Sequence, residues 1–237
     1  MASKALLLPH ARPRLLYQSN HRRRKVEVHV TPCLVTYPLG EVLINPSNPR
    51  LSGVADFSYF PRGGPVPEQA PSVHLHHIMP YVSSWGGMDV SQGLLSGEAV
   101  LDGLVHQRGG WRLRLECWKR RWFRKEPCPV GEAVATTGGD LGYSRVIHTT
   151  PPFYRDDDAV PMLRQCYRSA LRLVNEERVA CPLIEAGCRG FPEGFALDTA
   201  AIAAKEWLTS SAEGAQTLAF GFLSEELGSS FVTRMET

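Results

Sequence analysis

What most restricts the fold is an alternation of two periodicities along the chain. Between residues 156 and 174, Leu163, Cys166, Tyr167, Ala170, Leu171 and Val174 recur at three- and four-residue steps, which puts them on one face of a helix. Asp156, Asp157 and Asp158 precede that face, where the positive end of the helix dipole favours carboxyl groups. "ACPLIEAG" follows as a short apolar run, then "DTAAIAAKEWL" as an alanine-faced helix, "QTLAFGFL" as another run and "SEELGSSFVTRM" as a closing helix. Upstream, "KVEVHV", "GEVLIN" and the two halves of "GEAVATTGGDLGYSRVIHTT" read as strands, and "GEAVLDGLVHQRGGWRLRLECWKRRW" as one or two helices. Strands alternating with helices predict an α/β, three-layer fold: a mixed, largely parallel central sheet flanked by helices.

In such sheets ligands bind outside the carboxyl ends of the strands. Two segments fall at ends of that kind, "INPSN" after Val42-Leu43-Ile44 and "IEAGCRGFP". A turn is one reading of the first, because Asn, Pro and Ser each favour turns. In the other, the strand presents the amides of Asn45 and Asn48 to a ligand.

Composition adds bounds. A chain of 237 residues is long enough for one good-sized domain, and a net charge of +2 gives no global attraction to nucleic acid or anionic membrane. No apolar run approaches the roughly 20 residues that cross a bilayer. The first acid is Glu27, preceded by Lys4, Arg12, Arg14, Arg22, Arg23, Arg24 and Lys25. Residues 1–24 therefore read as a basic leader, either an unstructured tail or an organellar transit peptide. Residues 25–237 form the expected domain, with a Gly-, Pro-, Ser- and His-rich insertion at about 51–93. The six cysteines show no CxxC pairing and read as reduced, mostly structural thiols of an intracellular protein, mitochondrial if the leader is an import signal and otherwise cytoplasmic or nuclear.

Three motifs in order, "INPSNPRLSG", "CPVGEAVATTGGDLGYSRVIHTTPPFY" and "LIEAGCRGFPEGFALDTAAIAAKEWL", resemble the macro domain, an ADP-ribose-binding α/β module. The resemblance spans about residues 26–236 apart from the insertion. It implies that Asn45 and Asn48 match the asparagines of the first motif, with Asn48 at the distal ribose. "LLSGEAVLDGLVHQRGG" is similar to the family's glycine-rich catalytic loop with one extra residue, so Gly97 belongs to the first phosphate loop and Asp102 matches the loop aspartate. Gly187, Cys188, Arg189, Gly190 and Phe191 match the second phosphate loop, with Phe191 beside the distal ribose. By this resemblance, Asn48 and Asp102 would orient and activate a water for hydrolysis of ADP-ribosyl esters or O-acetyl-ADP-ribose. The implied partner is ADP-ribose or an ADP-ribosylated substrate, bound by a monomer without metal or cofactor and with no membrane partner. Glycine amides and asparagine side chains suit a diphosphate and ribose hydroxyls.

Several positions depart from the family pattern. No acid follows the first strand in "VTPCLVTYP", where the family's adenine-binding aspartate stands. Glu98 and Glu185 lie within the two phosphate loops. A carboxylate about 4 Å from a phosphate would be repelled by roughly 4 kcal/mol at an effective dielectric of 20. The alternative to a working enzyme is thus an inactive interaction module that keeps the fold. "HLHH" (His74, His76, His77) reads as a solvated loop in preference to a zinc site, and His148 as a core histidine. "CWKRRWFRKEP" interleaves Trp118, Trp122 and Phe123 with five cations, a pattern that binds single-stranded nucleic acid in other settings. The expectation here is an amphipathic helix end with its rings packed inward, and no nucleic-acid partner.

Overall fold

The computed structural model describes residues 12–53, 101–154, 156–184, 189–210 and 214–237. Its elements in chain order are β1 (Arg14–His21), β2 (Arg24–Val30), β3 (Val42–Pro46), α1 (Leu101–Arg108), α2 (Gly110–Phe123), β4 (Ala133–Thr137), β5 (Arg145–Thr149), α3 (Ala159–Arg172), β6 (Arg178–Pro182), α4 (Glu193–Thr209), β7 (Thr217–Phe222) and α5 (Glu225–Glu236). The strands form one sheet in the order β1-β2-β7-β6-β3-β5-β4. From β2 to β5 all neighbours are parallel, and β1 and β4 close the two edges antiparallel.

Period-two side-chain alternation divides the core. Val42 and Ile44 of β3 point to one face with Val26, Val28, Val179 and Cys181, where α3, α4 and α5 cover them. Leu43 points to the other with Val146, Ala180 and Ala219, against Val105 of α1 and Leu113 and Cys117 of α2. The result is the expected three-layer α/β fold with a mixed, largely parallel sheet. "GEAVLDGLVHQRGGWRLRLECWKRRW" divides into two helices at Gly109.

Two expectations are corrected. Arg14–His21 lies in the stretch read as an unstructured leader, yet it forms β1, paired antiparallel with β2 through a turn at Arg22-Arg23, with one register shift between Leu15 and Tyr17. Leu16 and Tyr17 pack on the core, and Arg14 pairs with Glu225. Arg24, counted among the same basic residues, is buried over the Trp207 ring and donates to the Trp207 carbonyl. Secondly, the rings of "CWKRRWFRKEP" point outward: Trp122 and Phe123 are 71% and 88% exposed, and Trp118 is also exposed. Residues 1–11 and nearly all of the expected insertion, including His74, His76 and His77, lie outside the described residues. Among those described, no helix is long and apolar enough to cross a membrane.

Candidate functional site

Parallel pairing brings the carboxyl ends of β2, β3, β5, β6 and β7 to one edge of the sheet, and the loops after β3, β5 and β6 meet there. Arg189 ties them together. Its guanidinium donates to the Ser47 carbonyl at 3.0 Å and lies 4.7 Å from the Phe153 ring, while its own carbonyl accepts from the Tyr154 amide at 2.9 Å. Phe191 is buried and meets Tyr154 edge-on at 5.3 Å. Between them Gly190 adopts φ +76°, with open space where a Cβ would stand. That conformation suits glycine and leaves the backbone open to an approaching ligand.

Asn45 is fully buried beside His148, its register partner on β5. Its Nδ2 donates to Asp102 Oδ1 at 2.7 Å and to His148 Nδ1 at 3.1 Å. An amide nitrogen has two hydrogens, so this assignment makes His148 Nδ1 the acceptor. His148 Nε2 then carries the proton and donates to Thr136 Oγ1 at 2.9 Å. Burial holds His148 well below the ordinary imidazole range, with the electrostatic influence of the neighbouring His106 and of Arg120 adding to the effect. His148 is thus the core histidine expected from its strand, and it fixes Asn45 from behind.

Asp102 stands in the first turn of α1, 5% exposed. One turn later His106 places Nε2 at 3.5 Å from Asp102 Oδ1. Burial lowers the His106 pKa against the raising effect of Asp102, and Arg121 and Arg114 press it further down, so the pair is a neutral ring beside a carboxyl group. Asp102, His106 and His148 each bring one donor atom within 4.8 Å of the others. Asp102 and His148 both receive the Asn45 amide, which links those two through hydrogen bonds while His106 lies beside Asp102.

Asn48 plays a different part. Its Oδ1 accepts from the Arg50 and Ser52 amides, both at 3.2 Å, and from Ser52 Oγ at 3.0 Å, while Nδ2 donates to the Gly53 carbonyl at 2.9 Å. The side chain is therefore the hub of a turn over residues 48–53. Gly53, at φ +62°, ends that turn against the His106 ring, whose Cγ would lie 2.8 Å from an added Cβ. Turn, His106, Asp102, Asn45 and His148 are one continuous assembly.

Among the described residues, four buried polar atoms at this edge have no hydrogen-bond partner: Thr31 Oγ1 after β2, Asn45 Oδ1, Ser47 Oγ after β3, and His106 Nε2. Buried polar groups are nearly always satisfied, so such a cluster calls for waters or a ligand. Gly97, Gly187 and Cys188, with Glu98 and Glu185, lie outside the described residues. Sequence reasoning missed His106, although its four-residue step from Asp102 on a helix is a readable signal. The five described cysteines are thiols and not disulfides, and burial pushes Cys117 up to about 12 and Cys128 up to about 11.

A family model described as the macro domain matches residues 91–200. A macro domain-containing protein of Streptomyces nogalater is 41% identical over 111 residues, covering 45% of this chain and 61% of the relative. One from Streptomyces coelicolor is 33% identical over 150 residues, covering 61% and 86%. The O-acetyl-ADP-ribose deacetylase of Shigella dysenteriae is 33% identical over 127 residues, covering 52% and 71%. Among solved structures, the Oceanobacillus iheyensis macrodomain with ADP superposes with a TM-score of 0.67 at 22% identity, over 95% of this chain and 97% of that one. With the fold, the motif order and relatives matched over most of their own length in agreement, this chain belongs to the macro domain family.

Proposed function

We propose that the crevice at the carboxyl edge binds ADP-ribose and hydrolyses an ester on its distal ribose, as in an ADP-ribosyl ester or O-acetyl-ADP-ribose. The observation that carries this reading is the buried Asp102 carboxyl, held by Asn45 beside four polar atoms that find no partner among the described residues, at the carboxyl edge of the sheet. Open backbone at Gly190 suits a diphosphate oxygen, and the Tyr154–Phe191 pair offers an aromatic wall to the sugar. Asp102 would take the proton of a water as its oxygen attacks the acyl carbon. The ester C–O bond then breaks, and the proton passes to the departing ribose oxygen. The Asn45 bond holds the carboxyl in one orientation through these steps. The deacetylase relative from Shigella dysenteriae supports this substrate class.

The test pairs two measurements on the full chain: calorimetric titration with ADP-ribose, and release of acetate from O-acetyl-ADP-ribose. Asp102→Asn keeps an acceptor for Asn45 and removes the base, so binding should persist while turnover falls about 10²- to 10⁴-fold. Folded protein that gives no heat with ADP-ribose overturns the binding reading. Unchanged turnover in Asp102→Asn overturns the role of Asp102.

A further inference from the structure

We propose that the outer face of α2 is a binding surface for single-stranded nucleic acid, in which bases stack on tryptophan and phosphates pair with flanking cations. At 3.6 residues per turn, Trp111, Trp118 and Trp122 fall within about 40° of one another around the helix, as a stripe about 16 Å long. Leu113 and Cys117, the buried residues of α2, lie on the opposite side. All three tryptophans are exposed, Trp111 at 62%, and they are three of the five in the chain. Burial of Trp normally contributes strongly to a core, so a stripe of them turned to solvent is a departure that packing does not explain.

Cations border the stripe on both sides. Arg112 and Lys119 stand roughly 80–100° to one side, and Arg114 and Arg121 roughly 60–80° to the other. Between residues 111 and 125 there are seven cations and one acid, in a chain whose net charge is only +2. Two members of this set are already used: Glu116 accepts from the Thr137 amide at 2.7 Å and Arg120 donates to the Ala135 carbonyl at 2.6 Å, which clamps the inner side of α2 to β4. Arg112, Arg114, Lys119 and Arg121 make no ion pair among the described residues. The rings are partly arranged already. Trp118 and Trp122 sit 4.5 Å apart at 59°, and the Arg112 guanidinium lies 5.6 Å from the Trp111 ring.

Charge and shape select the occupant. A helix lying in a membrane interface needs an apolar face at least about 100° wide, whereas this stripe is about 40° wide with guanidinium groups along it. Aromatic faces interleaved with cations are what single strands require, and stacking is tolerant of base identity.

The experiment is fluorescence anisotropy of labelled oligothymidylate titrated with the full chain, run beside phosphatidylserine vesicles and a DNA duplex. The expected result is binding at about 50 mM salt whose log–log salt slope is about −3, the value for roughly four phosphates released from counterions on a single strand. Trp118→Ala with Trp122→Ala should weaken binding about tenfold or more at an unchanged slope. Arg112→Ala with Lys119→Ala should reduce the slope by about one. All four side chains are exposed on the outer side of α2, opposite the buried Leu113 and Cys117, so ADP-ribose titration and thermal midpoints should not change. No anisotropy change, affinity indifferent to the tryptophans, equal affinity for duplex, or binding to vesicles alone would each overturn the proposal.

Discussion

Asn45 and Asn48 stand three residues apart at the end of β3 and solve different problems. Asn45 spends both amide hydrogens inside the core, so Asn45→Ala would leave Asp102 Oδ1 and His148 Nδ1 without a donor. A cost of about 2–3 kcal/mol is expected from two stranded acceptors, read as a lower urea midpoint at an unchanged m-value. Asn48→Ala removes the hub of the 48–53 turn, in which Leu51 and Gly53 both hold positive φ. The turn loses its organising acceptor, and a loss of about 1–2 kcal/mol should accompany any loss of ADP-ribose affinity. Asn48→Asp keeps that acceptor, so it should recover much of the stability while forfeiting the bond to Gly53. Equal melting of Asn48→Ala and the parent chain would refute the hub. The sequence marks both asparagines as candidates, because a strand ending in "NPSN" is unusual. It cannot assign their partners, since Asp102 and His148 reach Asn45 from two distant segments and only the folded turn brings Gly53 back to Asn48.

At the scale of elements, hydrophobic period is readable wherever an element buries one clean face. α3, with five buried residues at helical spacing, and β3, buried almost throughout, are visible on that ground alone. β1 is not, because most of its residues are exposed or half-buried, its ladder is interrupted between Leu15 and Tyr17, and its turn is Arg22-Arg23 without the Asn-Gly signal of a tight hairpin. The tryptophans of α2 mislead for another reason: periodicity finds a stripe but not which way it faces. What orients α2 is polar, the bonds from Glu116 and Arg120 that occupy the outward Thr137 amide and Ala135 carbonyl of β4. These groups would otherwise form an open edge able to pair with another chain. Glu116→Gln weakens a charge-assisted bond, and a loss of roughly 1 kcal/mol is expected. Scattering during thermal unfolding should rise at the same time as the edge is freed. Glu116→Gln protein that melts and scatters like the parent chain would show that α2 is held by its apolar contacts alone.

For the whole molecule, buried titratable groups on the face of the sheet that α1 and α2 cover set a stability profile with two acid-side steps. Burial lowers the pKa of His106 and His148, so the unfolded chain, with imidazoles near about 6.5, takes up protons that the folded chain refuses. Their contribution is complete above about 6.5 and is lost as pH falls below it. A second step belongs to Glu27 of β2. Burial would raise its pKa, but hydrogen bonds from Arg178, Lys25 and His29, with the Arg178 charge, bring it down to about 2. An unfolded glutamate titrates near about 4.3, so the Glu27 contribution is present above that value and disappears between about 4.3 and about 2. Glu27 is 5% exposed, but the Arg178 side chain is 32% exposed, and solvent screening at that end reduces the step to roughly 2 kcal/mol. Urea midpoints measured from pH 8 down to pH 3 should therefore hold level, decline from about 6.5, and decline again below about 4.3. Glu27→Gln should be less stable than the parent at neutral pH and lack the lower step, since the amide keeps the shape but not the charge that Arg178 and Lys25 face. A parent midpoint that stays flat to pH 5 would sink the histidine step, and a lower step that survives Glu27→Gln would move it to another carboxyl group.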